Sequence, residues 1–110
     1  MTSVHHVILC TFPDVERATQ CAQQLVEQQL AACVNLLPTI TSIYAWEGRI
    51  DKAQEQLLLI KAPAVHYARI EAFIKQHHPY DVPEIIALSI ERGLPDYLQW
   101  ITRSCFVSAY

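Results

Sequence analysis

The segment from Leu30 to Lys61 constrains this chain more than any other, because its residue types favour extended backbone on both sides of a single turn. Val34, Leu36 and Leu37 lead to Pro38. Thr39-Ile40-Thr41-Ser42-Ile43-Tyr44-Ala45-Trp46 follows, rich in the β-branched and aromatic residues that fit a pleated surface. Glu47-Gly48 marks the turn, and Ile50 to Lys61 returns as the partner, ending in Leu57-Leu58-Leu59-Ile60. Proline cannot donate to a ladder, so Pro38 places the first arm at a sheet edge or at a bulge. The sequence therefore predicts one long hairpin, and the rest of the fold has to be built around it.

Before the hairpin, Val4 to Thr11 is a short apolar run stopped by Phe12-Pro13-Asp14, which suits a buried strand. Pro13 fits a first helical turn, Asp14 and Glu16 complement the positive end of a helix, and Ala18, Cys21, Ala22, Leu25 and Val26 recur at helical spacing. After the hairpin, Pro63 opens a second helix whose apolar face carries Ile70, Phe73, Ile74 and His77, and Pro79 stops it. Glu84 to Ile90 is a fourth strand, and Asp96 starts a short C-terminal helix through Tyr97, Leu98, Trp100 and Ile101. The order β-α-β-β-α-β plus a helix is the ferredoxin-like arrangement of an α+β protein, an antiparallel sheet with both helices on one face. The chain of 110 residues is expected to form a single domain over 1–110.

The other face of such a sheet must also be covered. Hydrophobic residues make up 52% of the chain and charged residues only 17%, so there is more apolar surface than one small domain hides. That points to a homo-oligomer, with the open face or the hairpin around Tyr44 to Ile50 set against neighbouring copies. A net charge of -3 leaves no basic stripe for phosphates, which argues against nucleic acid. The longest apolar run is far short of a membrane span, and Met1-Thr2-Ser3-Val4-His5-His6 lacks the features of a signal peptide, so a cytoplasmic location is expected. In a reducing compartment Cys10, Cys21, Cys33 and Cys105 are expected as free thiols, with no CxxC pair among them.

Leu9-Cys10-Thr11, Leu30-Ala31-Ala32-Cys33-Val34-Asn35, Trp46-Glu47-Gly48, Glu55 with Lys61, His77-His78-Pro79-Tyr80, Pro83-Glu84-Ile85 and Tyr97-Leu98-Trp100-Ile101 occur in an order that resembles the CutA divalent-cation tolerance family from end to end. The resemblance implies a ferredoxin-like protomer, a tight homotrimer similar in architecture to PII-type signalling proteins, and a role in tolerance of divalent metal ions, copper above all. It also implies a metal site at Cys10, His77 and His78.

The chemistry of that set is sensible, since thiolate and imidazole are good copper ligands and copper(II) heads the divalent affinity order. Adjacent side chains on a helix diverge by about 100°, so only a chain break at Pro79 lets His77 and His78 approach one ion. The alternatives remain open. Cys10 also fits a buried strand residue, His77 a packing histidine on the apolar face, and His78 a solvated helix-end residue. Glu55, Lys61, Tyr80 and Glu84 form a second polar group. It reads either as an interfacial ion pair, Lys61 with a carboxylate such as Glu84, or as the lining of a small-ligand cleft. Two glycines exclude a Gly-rich phosphate loop, and no spacing supports a catalytic triad, so no enzyme is expected. The competing reading is a trimeric PII-like ligand-sensing or scaffold module that binds metal incidentally.

Overall fold

The structure, a computed structural model, describes residues 4–105. The elements run β1 (His5–Phe12), α1 (Val15–Glu27), β2 (Cys33–Trp46), β3 (Arg49–Pro63), a short 3-10 turn (Ala64–His66), α2 (Tyr67–His77), β4 (Ile85–Ser89) and α3 (Pro95–Ser104). One sheet contains the four strands in the order β2-β3-β1-β4, every neighbouring pair antiparallel. This is the ferredoxin-like α+β topology expected from the sequence.

The long hairpin is present, and Pro38 lies where its missing N–H does least harm. β2 is an edge strand, and its pairing with β3 shifts between Leu37 and Ile40. Two residues, Pro38 and Thr39, bulge against one. Thr39 takes a positive φ of 44°, and its N–H donates to Gln56 Oε1 at 2.9 Å, which replaces the lost ladder bond. At the hairpin tip Glu47 and Gly48 have φ of 48° and 76°, the two left-handed positions of a type I′ turn.

Two boundaries differ from the sequence expectation. Asp14, not Pro13, starts α1: its Oδ1 accepts from Arg17 N at 2.7 Å, and the helix begins at Val15. Pro63 caps the short 3-10 turn Ala64–His66 but does not open α2 itself. Its φ suits a helix, but it is still paired with His5, and Ala64 N donates to Val4 O at 2.8 Å, so β3 runs on and α2 starts only at Tyr67. At the other end of α1, Gln29 turns left-handed at φ 60° and the chain doubles back, Leu30 N reaching Leu25 O at 3.0 Å. The buried His66 holds this reversal, its Nδ1 lying 3.0 Å from Leu30 O.

The main core lies between one sheet face and the two helices. Ile8, Cys10 and Phe12 from β1, Leu58 and Ile60 from β3, Ala18, Cys21 and Leu25 from α1, and Ile70 and Ile74 from α2 close it. Among the described residues the opposite face is covered at one corner, where α3 packs Ile101 and Cys105 on Ala32 and brings Thr102 Oγ1 to 2.8 Å from His5 Nε2. Elsewhere on that side Ile86 and Leu88 of β4 are half exposed. The distal hairpin stands clear of both layers: Ile43, Trp46 and Ile50 are 66%, 56% and 75% exposed, and the molecule reaches 46 Å along its long axis against 26 and 22 Å across. All four cysteines are free.

Candidate metal and ligand site

Cys10 stands in the middle of β1 on the helix-facing side, because inward residues alternate along a strand and Ile8 and Phe12 flank it there. It is fully buried. Burial, with Cys21, Glu84 and Glu55 nearby, pushes its thiol far above the ordinary range. Its Sγ makes only a long 3.9 Å contact with Thr11 O.

The two histidines separate, and they exchange the places the periodicity assigns them. His77, expected on the apolar face of α2, is exposed; its ring lies 4.3 Å from that of Phe73, and its Nδ1 is 2.8 Å from Phe73 O. A carbonyl only accepts, so Nδ1 carries the proton and the lone pair is on Nε2. His78, expected in solvent, is buried. Pro79 forces it into extended backbone at φ −84° and ψ 140°, which ends α2 and swings the ring inward. There it lies on Phe12 with ring centroids 4.3 Å apart. Its Nε2 donates to Thr11 O at 2.7 Å, and its Nδ1 accepts from Tyr80 N at 3.1 Å. Burial lowers its pKa from the ordinary value, against the opposing pull of the Thr11 carbonyl and Glu55.

Cys10 and His78 thus meet at the Thr11 carbonyl, while His77 points away. Both nitrogens of His78 are already engaged. Among the described residues no group of three or more His, Cys, Asp or Glu side chains is positioned to hold a metal ion. As they stand, Cys10, His77 and His78 do not make one coordination sphere.

The second polar group divides in two. Glu55 is buried and accepts from Tyr80 OH at 3.0 Å; burial and this bond push the Tyr80 phenol up to about 12. The Tyr80 ring also leans on His78 at 4.9 Å. Glu84 precedes β4, whose Ile85 pairs with Cys10, and so belongs to the same end of the sheet. Lys61 does not. It pairs with Val7, four positions back along β1 from Thr11, roughly 13 Å away along the strand. Within one chain Lys61 and Glu84 therefore do not pair, because antiparallel pairing sends the end of β3 to the opposite end of the sheet. Among the described residues the ion pair present is Arg17–Asp14 at 3.4 Å, on the exposed start of α1.

Sequence reasoning missed Phe12 and the Thr11 carbonyl as the seat of His78. The alternation along β1 places Phe12 inward, but nothing local announces a partner 66 residues downstream.

A ferredoxin-like sheet with a hairpin projecting beyond it, and a thiol and an imidazole meeting under the end of α2, defines a class of small α+β proteins. Residues 6–104 match the family described as "CutA1 divalent ion tolerance protein". The chain is 45% identical over 98 residues to the divalent-cation tolerance protein CutA of Yersinia pestis, covering 89% of this chain and 82% of that one. Among solved structures, the Thermus thermophilus divalent cation tolerance protein superposes with a TM-score of 0.86 at 45% identity, covering 88% of this chain and 94% of that one. The Archaeoglobus fulgidus protein, described as a periplasmic divalent cation tolerance protein CutA, gives 0.90 at 38% identity, covering 93% and 99%. This chain belongs to the CutA1 divalent ion tolerance family.

Proposed function

We propose that this protein serves divalent-cation tolerance by binding the ions themselves, copper(II) foremost, as a cytoplasmic homotrimer without catalytic activity. The family assignment carries the reading. Ligand chemistry supports the choice of ion, since thiol and imidazole donors suit copper(II) better than the other common divalent ions. The proposed ligands are Cys10, His77 and His78, and for all three to reach one ion His78 has to release Thr11 and Tyr80. The exposed apolar residues of the hairpin and β4 support self-association, because a lone chain leaves Ile43, Trp46, Ile50, Ile86 and Leu88 in water.

Titration of the native protein with copper(II), compared with Cys10→Ser, His77→Ala and His78→Ala, tests the site. The expected result is reduced affinity in each variant; unchanged affinity and stoichiometry in all three sinks the ligand set. Sedimentation equilibrium is expected to give three chains, and fractionation is expected to find the protein with cytoplasmic markers.

One observation favours a second reading, a PII-like small-ligand module. Glu55 is a buried carboxylate whose hydrogen-bond partner, Tyr80 OH, comes from a loop, the kind of group that lines a ligand cleft. A melting screen of metal ions against nucleotides and small acids separates the two, because a ligand of the native state raises its stability by RT ln(1 + [L]/Kd).

A further inference from the structure

Glu55 and Lys61 are charges set into the apolar half of β3, and neither has a counter-ion among the described residues. Ile60 and Ala62 are sealed in the core under the helices, so by alternation Lys61, Leu59, Leu57 and Glu55 share the opposite face of the sheet. Val7 and Leu9 of β1, paired with Lys61 and Leu59, and Leu88 and Ile86 of β4 continue that apolar face. Glu55 is only 7% exposed, and Tyr80 OH at 3.0 Å gives its carboxylate a hydrogen bond but no balancing charge. Its surroundings are acidic. Asp14 lies with it within electrostatic reach of Tyr80, and Glu84 lies with it within reach of Cys10. The nearby cation, Arg17, is held by Asp14 at 3.4 Å. Lys61 is partly buried at the other end of the face, six residues along the strand, about 20 Å away.

We infer that the Lys61 ammonium of a second copy of this chain neutralises Glu55, and that this ion pair sets the register in which the apolar sheet faces meet. Covering the face takes both charges further out of water, which is costly for each unless it finds the other. Glu84 has no such need, because it is exposed. The cations of the hairpin, Arg49 and Lys52, are exposed as well, whereas Lys61 stands among Leu59 and Val7 on the surface to be buried. Giver and taker lie at opposite ends of one strand, so every copy gives at one end and receives at the other. A closed assembly then leaves no pair unmade. The inference rests on the self-association within the proposed function. It assigns Glu55 to the interface and so weighs against a small-ligand role for this carboxylate.

The test is sedimentation equilibrium of the full-length protein over a dilution series, with Glu55→Lys, Lys61→Glu and the double reversal Glu55→Lys/Lys61→Glu. Each single reversal sets like charges against each other and is expected to weaken assembly about a hundredfold. The double reversal is expected to recover at least about tenfold of that loss, because the pair is restored with its ends exchanged. Should Glu55→Lys fail to fold, Glu55→Gln keeps an acceptor for Tyr80, and a cycle with Lys61→Met reads the same coupling: the two losses are expected not to add. A wild type that stays a single chain removes the self-association reading and this pair with it. A wild type that assembles, with no recovery in the double reversal or with additive losses in the cycle, overturns the pair alone.

Discussion

The two sides of this sheet are made from similar residues and end in opposite states. Between the sheet and α1 and α2, Ile8, Phe12, Leu58, Ile60, Ile70 and Ile74 are sealed from water. On the hairpin and β4, Ile43, Trp46, Ile50, Ile86 and Leu88 stand in it. Side-chain chemistry does not separate these groups. The difference lies in supply: among the described residues two helices lie over one face, the short α3 covers a corner of the other, and the distal hairpin stays exposed. An apolar surface of this kind is, in proteins generally, the mark of an interaction site.

That contrast is open to attack at several strengths. The largest effect is expected inside the closed half. Phe12→Ala removes the ring beneath His78 and leaves a cavity, costing about 3–5 kcal/mol in a denaturant titration. A much smaller loss means that this half is not tightly packed. In the open half, Ile43→Lys with Ile50→Glu is expected to weaken self-association by about 3 kcal/mol, roughly a hundredfold, while the far-ultraviolet spectrum is unchanged. Sedimentation reads the result, and an unaltered assembly places the interface elsewhere.

A smaller effect separates the polar lining of the core from its apolar body. His78→Ala strands the Thr11 carbonyl and the Tyr80 N–H, and is expected to cost about 1–3 kcal/mol. The same residue gives the closed half a pH dependence. Its folded pKa lies below the ordinary 6.5, so on acidification the unfolded ring takes a proton first. Stability is therefore present above pH 6.5 and falls as the pH drops through the lowered value, with Glu55 opposing the shift and Arg17 adding to it. Urea midpoints measured across that window are expected to show this slope in the wild type and to lose most of it in His78→Gln. The smallest effect belongs to the hairpin tip. A Cβ at Gly48 meets nothing within 4 Å, so Gly48→Ala carries only the strain of φ +76°, about 1 kcal/mol. A larger loss implies that the tip is packed against another copy.

The sequence made the order of elements legible because each is announced locally. Apolar alternation and β-branched runs marked the strands, helical spacing marked α1 and α2, and Pro38 foretold the bulge that Thr39 and Gln56 complete. It was less informative at Pro63, where a φ suited to a helix lost to continued pairing with His5. The candidate site was half legible. Cys10 could be named and its inward direction followed from alternation. The histidines could be named but not placed, since helical spacing selects His77, and only the chain break at Pro79 turns His78 into the core instead. Strand direction likewise decided that Lys61 and Glu84 lie at opposite ends of the sheet within one chain.

What the sequence determined by itself was the set of segments and their conformations, because hydrophobic period, proline and the Glu47-Gly48 turn act over a few residues at a time. What only the tertiary structure decided was company: His78 on Phe12, Glu55 with Tyr80, His66 with Leu30. Those contacts depend on strand order, on register and on the direction in which α1 crosses the sheet, and no local preference encodes them.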